Sequence, residues 1–122
     1  MCKKLVYIAG PITGVERYWE PFERAQDDLA ALGYTALTPT WLPEGLTYAQ
    51  YMRVCFAMID ISDAVVLLPG WEQSRGARLE SHYCVTIGKP NIELPERKIG
   101  DYRYYMERLC RLMGEAVNDG QD

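Results

Sequence analysis

Histidine is nearly absent: His82 is the one copy in 122 residues. The four cysteines, Cys2, Cys55, Cys84 and Cys110, form no CxxC pair. Together these argue against a zinc site and leave no other metal or cofactor implied. Widely spaced, unpaired thiols read as reduced, packed cysteines of a cytosolic protein. No apolar run approaches the ~20 residues of a membrane span. Leu5 to Ala9, behind Lys3 and Lys4, is too short for a signal segment, and Pro11 and Gly14 follow at once. Positive charge is also short, with 13 Lys and Arg against 17 Asp and Glu, net −4, which argues against a nucleic-acid groove. There is no repeat and no low-complexity tract. What remains is ordinary for a soluble globular protein, 48% hydrophobic and 25% charged. The length suits one domain over residues 1–122, large enough to bury a core, with 118–122 as a frayed tail.

The first element is Leu5-Val6-Tyr7-Ile8-Ala9, a strand of the kind buried in a parallel sheet. Gly10-Pro11-Ile12-Thr13-Gly14 turns away from it. Two glycines and a hydroxyl at a strand's carboxyl end suit a sugar or phosphate, or make a plain strand-to-helix turn. A helix follows with Pro21 in its first turn, Phe22, Ala25, Gln26, Leu29 and Leu32 inward, and Gly33 as its stop. Tyr34 to Thr38 is a second strand, and Thr40 to Leu46 an irregular loop whose Trp41 either covers a ligand or packs locally. Thr47-Tyr48-Ala49-Gln50 is a capping box. The helix it opens carries Met52, Cys55, Phe56 and Ile59 on its apolar stripe, and Asp60 and Asp63 close it.

The richest stretch is next. Ala64 to Leu68 is continuously apolar, Pro69-Gly70 ends it, and Ser74 can cap a helix from Arg75 to Ile87. That helix would put Arg75, Arg78, His82 and Lys89 on a polar stripe, and Gly76, Ala77, Glu80, Tyr83, Cys84 and Ile87 on the opposite one. Glu80 thus falls on the sheet-facing side, near the end of the sheet where ligands of open α/β proteins bind. A carboxylate is rarely buried without a partner or a purpose; the alternative is a Glu at the stripe edge reaching water. His82 belongs to the surface. A short strand near Asn91 to Leu94 and a helix from about Asp101 to Val117 complete the chain. The last helix carries Tyr102, Tyr105, Met106, Leu109, Met113 and Val117 on one side. Alternating strands and helices imply one doubly wound parallel α/β sheet of four to five strands, flavodoxin-like or Rossmann-like.

Tyr7 to Gly14 (YIAGPITG) and Leu68 to Ala77 (LPGWEQSRGA) resemble a family of small phage and prophage proteins that is similar to nucleoside 2-deoxyribosyltransferases. The likeness runs over most of residues 4 to 94. The wider superfamily includes the 2′-deoxynucleoside 5′-phosphate N-hydrolases. Gly10 to Gly14 matches their first loop in place, and Ser74, Gly76 and Glu80 keep the spacing of their serine, glycine and catalytic glutamate. The resemblance implies cleavage of an N-glycosidic bond in a deoxynucleoside or deoxynucleotide. Glu80 would be the nucleophile and Tyr7, at the end of the first strand, its orienting partner. Gly10, Ile12, Thr13, Gly14, Ser74, Arg75 and Gly76 would hold the substrate. It also implies a homo-oligomer.

One position departs from that pattern. The superfamily places an aspartate eight residues before the position of Asp63 to help protonate the departing base, and Cys55 stands there. A thiol with a pKa of about 8.5 does not replace a carboxylate, and losing a general acid typically costs about 10²–10⁴-fold in rate. Asp60 could compensate only if its helix ended early. Two alternatives therefore stand beside the enzyme: a non-catalytic nucleotide-binding or sensor module, and a phage accessory protein that binds a host protein. The first is favoured by Cys55, the second by a large exposed apolar patch away from Glu80.

Overall fold

The computed structural model describes residues 4–96 and 103–114. Four strands, β1 (Leu5–Ala9), β2 (Thr35–Leu37), β3 (Ala64–Leu67) and β4 (Asn91–Glu93), form an all-parallel sheet in the order β2-β1-β3-β4. Helices α1 (Trp19–Ala31), α2 (Tyr48–Ile61), α3 (Arg75–Thr86) and α4 (Arg103–Leu112) follow the strands in turn. The register pairs Val6 with Ala64 and Ala9 with Leu67 across β1 and β3, and Leu5 with Thr35 across β1 and β2.

Strand alternation divides the core in two. Val6, Ile8, Ala64 and Val66 point to one face, where Phe22, Ala25 and Leu29 of α1 and Leu109 of α4 cover them. Tyr7, Ala9, Val65 and Leu67 point to the other, against Cys55 and Ile59 of α2 and Cys84 of α3. The chain moves outward from β1 to β2, then crosses back to β3. The direction of winding reverses between β1 and β3, the switch point at which open α/β sheets hold ligands. Two loops meet there. The Leu68 amide donates to the Ala9 carbonyl at 2.8 Å, and a Cβ on Gly10 would lie 2.8 Å from Leu68 Cδ1 and 3.0 Å from its Cβ. Any larger residue at position 10 would force the Leu68 side chain to shift.

Several boundaries differ from those read in the sequence. Leu32 does not face inward: it is the C-cap of α1 and 45% exposed, because the helix ends a residue before it. The loop after β2 contains a 3-10 turn, Pro39–Trp41, initiated by the Thr38 hydroxyl accepting from the Thr40 amide. Ile87 lies just past the end of α3 and is exposed. Lys89 is beyond that helix too, and its ammonium donates to the Asp60 and Ser62 carbonyls at the end of α2. α4 ends at Leu112, earlier than expected, and the expected start at Asp101 lies outside the described residues. Tyr102, Val117 and the tail 118–122 lie outside the described residues, as do the side chains of Tyr105 and Met106.

Candidate active site

Three elements assemble the site. Tyr7 is the middle residue of β1, two short of its end, and alternation aims it at the α2–α3 layer. The capping box of Thr47 and Gln50 fixes the start of α2 and with it the phase of Tyr48, Tyr51 and Cys55. Ser74 caps α3, its hydroxyl accepting from the Ala77 amide at 3.2 Å. The phase this sets puts Ala77, Glu80 and Cys84 on the buried side.

Glu80 is therefore inside, at 3% exposure. Its carboxyl accepts a 2.6 Å hydrogen bond from the Tyr7 hydroxyl. The buried Cys55 side chain lies beside Glu80, Tyr7 and Tyr51, near enough for each to influence its thiol. Burial pushes the Glu80 carboxyl up to about 7, against the hydrogen bonds from Tyr7 and Cys55 that favour its charged form. Burial and the Glu80 charge push the Cys55 thiol up to about 12, so it remains a protonated donor. Burial likewise raises Tyr7 and Tyr51, with Glu80 and Cys55 adding to it, and both stay phenols. The result is one ionisable carboxyl surrounded by neutral donors.

A cavity of about 300 Å³ opens over this cluster. Gly10, Ile12, Thr13, Ser74, Gly76 and Glu80 all line it, together with Leu46, Tyr48, Tyr51 and Ala77. Gly14 does not: it is exposed at the far side of its turn, with φ +77°. Neither does Arg75, whose guanidinium sits 4.6 Å above the Tyr48 ring at the rim. Tyr48 and Tyr51 were missed in the sequence, where they read only as helix residues after a cap. The signal that could have found them is their phase with Cys55, since Tyr51 precedes it by one helical turn. A second cavity of about 290 Å³ adjoins the first and shares Ile12, Leu46 and Tyr51 with it. Trp41 lines neither cavity and is 56% exposed. A further cavity of about 290 Å³ lies beside Pro21, Leu68 and Pro69, but its charged groups, Glu20, Arg24 and Glu96, are all exposed. It lacks the buried polar chemistry that marks a reacting site.

Asp60 does not take the place of the missing acid. α2 runs on past it to Ile61, and Asp60 is exposed, accepting from the Tyr83 hydroxyl at 2.5 Å. The Tyr83 ring stacks on Phe56 with 4.5 Å between centroids, so this pair fastens α2 to α3 at the end away from the cavity.

The parallel β2-β1-β3-β4 sheet wrapped by helices, with a carboxyl buried at its switch point, is an open doubly wound α/β fold. A solved structure of that kind, described as 2-desoxiribosyltransferase from Leishmania mexicana, superposes with a TM-score of 0.62 at 19% identity, over 96% of this chain and 75% of its own. The chain itself belongs to the family described as domain of unknown function DUF4406, which it matches over residues 4–93. No curated protein matches the chain.

Proposed function

We propose that this protein cleaves the N-glycosidic bond of a 2′-deoxynucleoside or its 5′-phosphate, with Glu80 as the nucleophile. The observation that carries the reading is the Glu80 carboxyl, buried, hydrogen-bonded by Tyr7 at 2.6 Å, and bordering a cavity at the carboxyl end of β1 and β3. The Glu80 oxygen would bond to the anomeric carbon as the base departs with the electrons of the broken C–N bond. The transition state resembles an oxocarbenium ion, which an adjacent carboxylate stabilises. Water then releases the sugar, or a second base accepts it. Ser74 and the first-turn amides of α3 suit the 5′ end of the sugar, since a helix start leaves N–H groups free. Thr13 and the Gly10 backbone suit its other edge. Gly14 and Arg75, which the cavity does not include, are left without a direct part in this reading.

Among the described residues no helix is long and apolar enough to cross a membrane, and we place the protein in the cytoplasm. We also propose a homo-oligomer formed through the α2–α3 layer, where Val54, Ile61, Leu79 and Val85 are exposed. The test of function is incubation with a panel of deoxynucleosides and deoxynucleotides. Free base should form with the wild type and not with Glu80→Ala, while Glu80→Ala still binds the substrate. Full base release by Glu80→Ala would remove the nucleophile from the reading. The second reading, a nucleotide sensor, is favoured by Cys55 beside Glu80 where a carboxyl acid would serve the leaving base. It predicts binding of nucleotides without turnover.

A further inference from the structure

The proposed reaction needs a group to stabilise the departing base, and Cys55 is a poor one: its thiol is fully buried and turned into contact with Glu80. We infer that the Tyr51 hydroxyl is the hydrogen-bond donor to the leaving base, standing where the two adjoining cavities meet. This inference rests on the glycosidic-bond reading of Glu80 and names a residue that the reading itself leaves unassigned.

Three observations carry it. Tyr51 forms part of the wall of the Glu80 cavity and of its neighbour, along with Ile12 and Leu46. Of those three shared residues it is the one with a polar side chain. A sugar whose anomeric carbon faces Glu80 must send its base out of the first cavity, and the second offers Tyr18, Pro39, Leu42 and Pro43 as apolar wall, with Thr40 and Glu44 as polar groups. A largely apolar wall with a few polar groups suits a heteroaromatic ring. Finally, Tyr51 is on the helical turn before Cys55 and lies close enough to Cys55 and Glu80 for both to influence its phenol. The phenol is therefore joined to the same cluster that orients Glu80.

The charge balance is simple. As the Glu80 oxygen bonds to the anomeric carbon, the C–N electron pair moves onto the base. A carbonyl oxygen or ring nitrogen of the base accepts the Tyr51 hydrogen bond, which disperses that charge. Tyr51 keeps its proton, and the base takes one from water as it leaves. Burial holds the phenol in its neutral form, so the donor is present throughout the working pH range.

The test compares 2′-deoxyuridine with 5-fluoro-2′-deoxyuridine, each as nucleoside and 5′-monophosphate. The fluorinated ring carries the negative charge with less help. Tyr51→Phe should lower kcat about 10²-fold for the deoxyuridine substrates and less than about tenfold for the fluorinated ones, by comparison with loss of an oxyanion donor. KM should move little. Cys55→Asp in the Tyr51→Phe background should recover activity, because a carboxyl beside Glu80 would be held protonated as a donor. Replacing Tyr51 site-specifically with 3-fluorotyrosine keeps the shape and strengthens the donor, and should speed the slow substrates. Equal losses on both bases, or no loss, would overturn the role of Tyr51 while leaving Glu80 as nucleophile. A wild-type protein that releases base from none of the four would overturn the glycosidic reading and this inference with it.

Discussion

A Glu80 carboxyl lifted by burial to about 7 is charged only part of the time at neutral pH, and in the proposed reaction it is the charged form that would attack. The value of kcat/KM should therefore rise with pH and level off above about 7, which a pH–rate profile would check. Tyr7→Phe removes a hydrogen bond that favours the charge. Such bonds are worth about 1.5–3 kcal/mol, or about 1–2 pH units, so the profile should move that far to the alkaline side. Stability runs the other way. The folded-state value lies above the ordinary 4.5, so the folded protein keeps a proton that the unfolded chain has released. Stability is full below about 4.5, falls as pH rises towards about 7, and is flat beyond it. At about 1.36 kcal/mol per unit the loss is on the order of 3 kcal/mol. Glu80→Gln should abolish base release and be more stable than the wild type above pH 7, the gap closing at acid pH in urea unfolding. The burial of Glu80 was legible in the sequence, because helical phase alone puts it on the stripe with Ala77 and Cys84. Its bond to Tyr7 was not, since strand alternation shows a direction and not which side chain waits 73 positions away.

At the scale of elements, local patterns survived where their chemistry is local. The capping box of Thr47 and Gln50, the Ser74 cap and the β1 boundaries match the structure because each is decided within a few residues. Errors gathered at helix ends. Leu32 and Ile87 keep the apolar period but fall just past the last helical residue, so they turn to solvent. Arg75, grouped with the substrate by its neighbours in the motif, stands exposed at the rim over Tyr48, outside the lining of the cavity. α2 is the element on which most depends, because it carries Tyr48, Tyr51 and Cys55 from one cap. Thr47→Ala loses the hydroxyl that accepts from the Gln50 amide. The cost should be about 1 kcal/mol, or roughly 4 °C in Tm for a chain of this size. A Tm unchanged by the substitution would show that tertiary packing alone sets the start of α2.

For the whole molecule the alternation of strands and helices was enough to imply a parallel doubly wound sheet, since right-handed crossovers leave few other arrangements. The sequence could not show which helix face is spare. From the last helix Leu109 is fully buried in the core, and Cys110 and Met113 pack against it. The Tyr34 hydroxyl and the Cys110 sulfur, 2.7 Å apart, tie α4 to the β2 edge. Exposed apolar side chains occur on both layers, Trp19, Leu32 and Leu112 on one and Val54, Ile61, Leu79 and Val85 on the other, and the two most exposed lie at the ends of α2 and α3. Val85 is 67% exposed and Ile61 62%. A second copy seated there would cover the same helices whose first turns carry Tyr48 and Arg75 at the cavity rim. Sedimentation at micromolar concentration should therefore give an oligomer. Val85→Glu would bury a charge in the contact and should weaken association by at least tenfold, the equivalent of about 1.4 kcal/mol. An interface that runs along both helices as far as their first turns would make kcat/KM fall in step with the oligomer fraction as the variant is diluted. A wild type that sediments as a monomer at tens of micromolar would sink the assembly, and a dissociated variant with undiminished kcat/KM would separate the assembly from the site.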